Sequence, residues 1–506
     1  MKEKYESVFG DLHNHCNISY GHGDLNHALE NAALRLDFVS ITGHADWPDM
    51  DANNPEIAHI VDFHVKGFAR LKKIWDEYLD RIREFETQRH LVTYPGYEIH
   101  SNEHGDYTIV GREHRFPMTL ADSPDQLRSL FRNIYGPDES AGSGGAPPVL
   151  MFPHHIGYRQ GARGVNWESF NEAYTPLVEI YSMHGLADDD FSDKPSLHSM
   201  GPWQSCGTMV NGLRLGKHFG VIGNTDHHSG HPGSYGHGLT GAWTKDRDRS
   251  TIWDALYARR TWAMTGDLVR LWFSLGEVPM GGTVSAGLGK TGLIDVDATT
   301  AIDYVELLVR GERRELWWSA PEHAAHEEAL FQLELGWGER HKATEWDVDI
   351  QVENGSVLEE IPRFRGLEVV SPLDSSAQEE TKDRSCITYH NSGRIRFQTT
   401  SLGNATNTTP STQGIALRIS DPDVCRIAVT MNGRHEAWSI KELLQGSRSG
   451  NLGPIDSPAF RVSAISPDTY KWKVPCLLDI EPGDWIHVRV RLKNGHWAIS
   501  SPIRVD

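Results

Sequence analysis

Six short apolar runs in the first half of the chain end, one after another, in histidine or a carboxylate. "SVFGDLHNH" ends in His13 and His15, "LDFVSITGHAD" in His44 and Asp46, and "HLVTYPGYEIH" carries Glu98. "PVLMFPHH" ends in His154 and His155, "PLVEIYSMH" carries Glu179 and ends in His184, and "HFGVIGNTDHH" ends in Asp226, His227 and His228. Helix candidates lie between the runs: "DLNHALENAALRL" with Asp24 as N-cap, the amphipathic stretch 59–88, "SPDQLRSLFRNIY" and "RSTIWDALYARR". Strands alternating with helices predict parallel pairing, and seven or eight such units predict a closed barrel. The C-terminal strand ends of a parallel barrel open on one face, so these segments would deliver imidazoles and carboxylates to one place.

Local spacing agrees. His13 and His15 are i and i+2 on a strand, so they face the same side with Cα atoms roughly 6.5–7 Å apart. Asp226 and His228 repeat that spacing. Adjacent His154 and His155 point oppositely on a regular strand, so only one is expected to face the site, and His154 is favoured. Two ions roughly 3.5–4 Å apart need a shared carboxylate, for which Glu98 is the natural candidate. Mixed imidazole and carboxylate donors suit Mn, Zn or Fe. Of the 27 histidines, 20 fall in residues 1–270 and 7 in 271–506, which puts the chemistry in the first half. His27, His59, His64 and His90 lie on predicted helices and read as surface or packed residues; Cys16 faces away from the His13 side.

Past residue 270 the pattern changes to period-two runs such as "DYVELLVRG", "EWDVDIQVENG" and "DWIHVRVRL". These predict a β-rich region, 271–506, built as one or two β-sandwich modules divided near the loop 371–383. "AGSGGAPP" (141–148) and "NATNTTPSTQ" (404–413) read as loops. The fold class expected is therefore α/β, with a barrel over 1–270 followed by that β-rich region.

Net charge is −20, which argues against a nucleic-acid partner. The N-terminus shows no apolar signal region, and no run approaches a membrane span. The five cysteines are scattered, without a CxxC pair, as expected of a cytoplasmic protein. A homo-oligomer is compatible with the sequence.

The runs "DLHNH", "ITGHAD", "YPGYEIHS", "MFPHH" and "GNTDHH" resemble, in order, the motifs of the polymerase and histidinol phosphatase (PHP) superfamily. A closer resemblance, on "DLHNHCNISYGHGD", "VEIYSMHG", "HSGHPGSYGHGLTGAW" and "ALYARRTWAMTGD", is to a PHP-like family known as a domain of unknown function. The match covers roughly residues 7–270. It implies a distorted (β/α)7 barrel and a metal-dependent phosphoesterase with two or three divalent ions. It further implies one ion held by His13, His15, Glu98 and Asp226, another by His22, His44 and His228, and a third by Glu98, His154 and one more ligand, for which His104 is chosen. If His104 lies outside the site, two ions are expected. Gly43 stands where the family usually has Asp.

The chemistry implied is attack of a metal-bridging hydroxide on a small anionic, phosphorylated substrate. His227, His184 and His231 are candidates to protonate the leaving group. Arg159 and Arg163, in "GYRQGARG", are candidates to clamp an anion, and Glu179 and Asp46 to orient a metal-bound imidazole. Bound cations would let an acidic protein hold an anion. Two other readings compete: a metal-dependent hydrolase of amides, lactones or carboxyl esters, and a non-catalytic scaffold or glycan-binding protein.

Overall fold

The computed structural model describes residues 2–136, 146–320, 327–367, 385–404 and 406–506. It is mixed α/β and strand-rich, with 42% strand and 18% helix. The first half runs β1 (Glu6–Asp11), α1 (Leu25–Ala33), β2 (Phe38–Asp46), α2 (Ala58–Gln88), β3 (Val92–Ile99), β4 (Tyr107–Gly111), α3 (Pro124–Tyr135) and β5 (Val149–Pro153). It continues with β6 (Leu177–Ser182), β7 (Gly185–Leu186), α4 (Met209–Arg214), β8 (Gly220–Gly223), β9 (Leu239–Thr244), α5 (Arg249–Tyr257) and β10 (Thr261–Met264). Asp24 caps α1 by accepting from the His27 amide.

Pairing is less uniform than all-parallel strands. β1, β2 and β3 pair in parallel, as do β6 and β8. β4 is antiparallel to β3 and to β5, and β9 is antiparallel to β1 and to β10. Residues 100–106 between β3 and β4 are too few for a crossover helix, so that pair closes as a hairpin. Val8, Phe38, Tyr94, Val110, Leu150, Leu177, Ile222 and Ala242, one from each of eight strands, meet in one buried cluster, so the strands wrap a common interior. Trp253 and Leu256 of α5 pack into the same cluster.

α1, α2 and α3 cover the outer face, where Val39, Ile41, Tyr97 and Ile109 meet Leu71, Tyr78, Ile82 and Phe131. The helices are anchored by polar contacts as well: Tyr78 donates to the Ile41 carbonyl at 2.7 Å and Trp75 Nε1 to the Phe116 carbonyl at 2.9 Å.

The second half does not stay apart from the first. Trp497–Ser500 pairs antiparallel with β10, and Trp485–Leu492 pairs with Trp497–Ser500, so the C-terminus extends the sheet that begins at β5. Between them lie two five-stranded sheets, one built on Glu328–Trp337 and one on Ala343–Glu353. Phe331, Leu333, Ile415 and Val462 of one pack against Val348, Ile350, Phe397 and Val429 of the other, forming one sandwich core. Strict alternation explains these strands: along Arg394–Leu402, Ile395, Phe397, Thr399 and Ser401 are buried and the residues between are not. The expected division at 371–383 lies outside the described residues, as do residues 141–145 of the first predicted loop. No helix among the described residues is long and apolar enough to cross a membrane.

Candidate metal centre

The residues after β1 and those after β8 are laced together before any ligand is considered. The Asp11 carboxylate accepts from the amides of His13 (3.2 Å), Thr225 (3.1 Å) and Gly233 (3.0 Å). The Asp226 amide donates to the His13 carbonyl at 2.8 Å, and the His15 amide to the His227 carbonyl at 2.8 Å. Asp226 takes a positive φ of 48°, which turns the chain where it leaves β8. The two halves of the motif set, more than 200 residues apart, are thus held in fixed register.

That register brings four ligand atoms together. His13 Nε2 lies 3.3 Å from His15 Nε2, 3.3 Å from Glu98 Oε2 and 3.4 Å from Asp226 Oδ1. His15 Nε2 lies 3.3 Å from Glu98 Oε2 and 3.0 Å from Asp226 Oδ1. A tetrahedron with metal–ligand bonds of about 2.05 Å has edges of about 3.3 Å, so these spacings match what one divalent ion requires. All four residues are buried. Three further groups share this core: His15, His44 and His228; Glu98, Asp106, His154 and His155; and His44, Glu98 and His100. Glu98 belongs to three of the four, with Oε2 on the His13 side and Oε1 at 3.1 Å from His154 Nε2.

The electrostatics suit a metal site. Burial would raise the Glu98 carboxyl, but the imidazoles of His44, His100 and His154 hold it well below its ordinary value. Burial likewise opposes ionisation of Asp226, yet His13 and His184 hold it well below. Asp106 is held down, against its burial, by Arg163. Burial, then neighbouring His15, pushes His44 and His228 well down, and burial lowers His154 and His155 to about 4. His13 is the exception: burial alone would lower it, but Asp226 and Glu179 raise it well above the usual range. Ionised carboxylates beside neutral imidazoles are what metal binding needs. The ring nitrogens that face the carboxylates are His44 Nδ1, 3.2 Å from Glu98 Oε2, and His155 Nε2, 3.3 Å from Asp106 Oδ2; His44 Nε2 and His155 Nδ1 are buried with no hydrogen-bond partner among the described residues.

The surrounding cavity, about 340 Å³, is lined by His44, Glu98, His155, Asp226 and His228 and also by Trp47, Ile60, Phe63 and Met200. His184 lies in this cavity; its Nδ1 meets the Tyr158 hydroxyl at 2.8 Å and its Nε2 lies 3.0 Å from Asp226 Oδ2. Arg163 is there too, donating from Nε to Asp106 Oδ2 at 2.6 Å. Glu179 accepts from His13 Nδ1 at 3.0 Å.

Other sequence-based candidates fall elsewhere. His104 is outside every ligand group: its Nδ1 meets Ser169 Oγ at 2.8 Å, because residues 101–105 turn away behind Asp49. His100 and Asp106 fill the place meant for it. His22 is buried, with its amide donating to the His228 carbonyl at 2.7 Å, but its ring is in no ligand group; His15 stands there with His44 and His228. The His227 ring lies toward His231, His237 and Gly366 and is not among the residues lining the cavity. Arg159 is exposed and does not line the cavity. His154 and His155 both join the ligand group, since β5 stops at Pro153 and His155 adopts a φ of 29°, which breaks the alternation.

Five contributors escaped the sequence reading. His100 ends "YEIH" two residues after Glu98, the same i, i+2 signal as His13 and His15, and so was open to detection. Asp106 carries no strand-end signal. His59 and His64, on α2, line the cavity because the start of that helix overhangs it. His198 arrives on an irregular loop with no periodicity.

No family model matches the chain. It is 27% identical over 266 residues to an uncharacterized protein of Chlamydia pneumoniae, an alignment covering 47% of this chain and 40% of that one. Uncharacterized proteins of Chlamydia muridarum and Chlamydia trachomatis are 26% and 28% identical over 170 and 145 residues, covering 29% and 26% of this chain and 27% and 23% of theirs. The chain thus matches less than half the length of these relatives. A solved structure from Bacteroides vulgatus, described as a two-domain protein containing a predicted PHP-like metal-dependent phosphoesterase, is 14% identical with a TM-score of 0.35, over 82% of this chain and 96% of that chain.

Proposed function

We propose that this chain is a metal-dependent hydrolase of phosphoesters. The observation that carries the reading is the convergence of His13, His15, Glu98 and Asp226 at ligand–ligand spacings of 3.0–3.4 Å. The motifs that resemble the PHP superfamily supply all four of these residues. Divalent ions bound there would lower the pKa of coordinated water toward neutrality and offset the charge of an anionic substrate.

The chain's own residues account for the rest. Arg163 places fixed positive charge at the cavity wall, its orientation set by Asp106. In hydrolysis the oxygen of water bonds to phosphorus, the P–O ester bond breaks, and the departing oxygen takes up a proton. His184 is the proposed carrier of that proton, because Tyr158 and Asp226 hold its ring in the cavity. Asp226 thereby connects the ligand group to the proton carrier.

The test is elemental analysis of the purified protein with a substrate panel of phosphomonoesters, phosphodiesters, amides and lactones, with and without chelator. Bound Mn, Zn or Fe and chelator-sensitive phosphoester turnover support the reading. Turnover of amides or lactones alone, or protein that binds no metal, overturns it.

A further inference from the structure

The cavity has a second wall that the chemistry of phosphate transfer does not use. α2 carries an apolar stripe in which Phe68, Leu71, Trp75, Tyr78, Ile82 and Phe85 are buried against the strands. The same stripe begins two turns earlier with Ile60 and Phe63. There no strand among the described residues covers it: both side chains are half-buried and line the cavity. Gly67 sets this overhang, since a Cβ at that position would lie 2.9 Å from the Tyr20 ring. An apolar helix face that loses its protein partner only where it borders a pocket is shaped to be covered by a ligand.

The wall is continuous with the ligand group. The Tyr20 ring stacks on His44, a candidate ligand, with centroids 3.8 Å apart and planes 7° from parallel. Phe63 meets the Tyr20 ring edge-on at 5.1 Å. Trp47, which follows β2, and Met200 also line the cavity, both beside Arg163, whose guanidinium lies 5.1 Å from the Trp47 ring centroid and donates to Met200 Sδ at 3.3 Å. The Trp47 indole N–H is buried without a hydrogen-bond partner among the described residues, so the wall offers one unused donor amid aromatic surface. A cavity of about 340 Å³ is also far larger than a phosphate ion needs.

Resting on the phosphoesterase reading, we infer that the preferred substrates are phosphoesters whose alcohol portion carries an aromatic ring. The phosphoryl group lies toward His44 and Asp226, and the ring lies against Trp47, Ile60, Phe63 and Met200. Ring-on-ring contact favours a flat group over an alkyl chain of similar size.

Non-hydrolysable phosphonates test this without reliance on turnover. Calorimetry on the metal-loaded full chain would compare methylphosphonate, cyclohexylphosphonate and phenylphosphonate. Phenylphosphonate is expected to bind about tenfold more tightly than methylphosphonate, and more tightly than the cyclohexyl compound. Phe63→Ala is expected to shrink the phenyl-to-methyl ratio to about twofold. Met200→Ala is the second variant should the first fold poorly, and it should shrink the ratio in the same direction. Phosphonates that bind without preference for the phenyl compound, or a ratio unmoved in both variants, overturn the inference and leave the phosphoesterase reading standing. Metal-loaded protein that binds none of the three overturns that reading, and this inference with it.

Discussion

Glu179 Oε2 accepts a hydrogen bond from His13 Nδ1 at 3.0 Å, which fixes the ring so that Nε2 faces Glu98 and Asp226. The carboxylate is itself held by Asn224 Nδ2 at 2.9 Å. A carboxylate behind a ligating imidazole sets its tautomer and raises its basicity. Glu179→Ala is therefore expected to weaken metal binding by roughly 10–100-fold, measured by competition with a chromogenic chelator. Unchanged affinity would mean that His13 is not a ligand.

Much of the site was readable because its signals are local. His13 and His15 form an HxH just past a strand, Asp226 opens a DxH just past another, and Glu98 stands two residues before His100 at the end of β3, so each candidate ligand is signalled within three residues. The rest depends on contacts between distant segments. His155 joins the ligand group only because the chain bends at φ 29° beyond Pro153. His64 reads as packed from helical periodicity, and it is buried, but the missing strand beneath the start of α2 makes it a cavity residue. Likewise, nothing in "HWAISS" says that Trp497–Ser500 will pair with β10. Period-two alternation reveals a strand and its buried face; it does not name the neighbour.

Arg163 bears on the number of ions. Its guanidinium lies against Asp106 and the His100 ring, with Nη2 3.8 Å from Glu98 Oε1. A cation among Glu98, Asp106, His154 and His155 would lie beside this fixed charge and be repelled by it. The wild-type chain is expected to hold two ions after dialysis and Arg163→Gln three, counted by elemental analysis. Three ions in the wild type would show that the guanidinium moves aside on loading.

The sandwich region touches the ligand loop directly. The Gly366 amide donates to Ser234 Oγ at 2.9 Å, and a Cβ on Gly366 would lie 2.5 Å from His227 Cε1 and 2.6 Å from His231 Cβ. Contacts that short cannot persist, so Gly366→Ala must displace the loop that carries Asp226 and His228. Overpacking of this kind costs about 1–3 kcal/mol. The expected result is a lower melting temperature together with weaker metal binding. A loss of stability with metal affinity intact would show that the loop yields without moving its ligands.

Asp267 and Arg363 join the two halves of the chain through a buried ion pair, Oδ1 to Nη2 at 2.6 Å. Asp267 Oδ2 also accepts from the hydroxyl of Tyr235, in the ligand loop, at 3.0 Å. Burial opposes the charge on Asp267, but Arg363 overrides it and lowers the carboxyl from 3.8 to about 2. Because the folded value is depressed, the pair's contribution is complete above pH 3.8 and is lost as pH falls toward 2. That difference corresponds to roughly 2 kcal/mol. In Asp267→Asn the guanidinium stays buried without its counter-charge, at a cost of roughly 3–5 kcal/mol. Metal-free wild type should therefore exceed metal-free Asp267→Asn in urea stability by the most near about pH 5, and the gap should narrow toward about pH 2.5. The metal-free form is the right material because acid also releases ions from imidazole ligands. A gap that stays constant across that range would mean that Asp267 does not titrate there, and that the junction draws its strength from packing rather than charge.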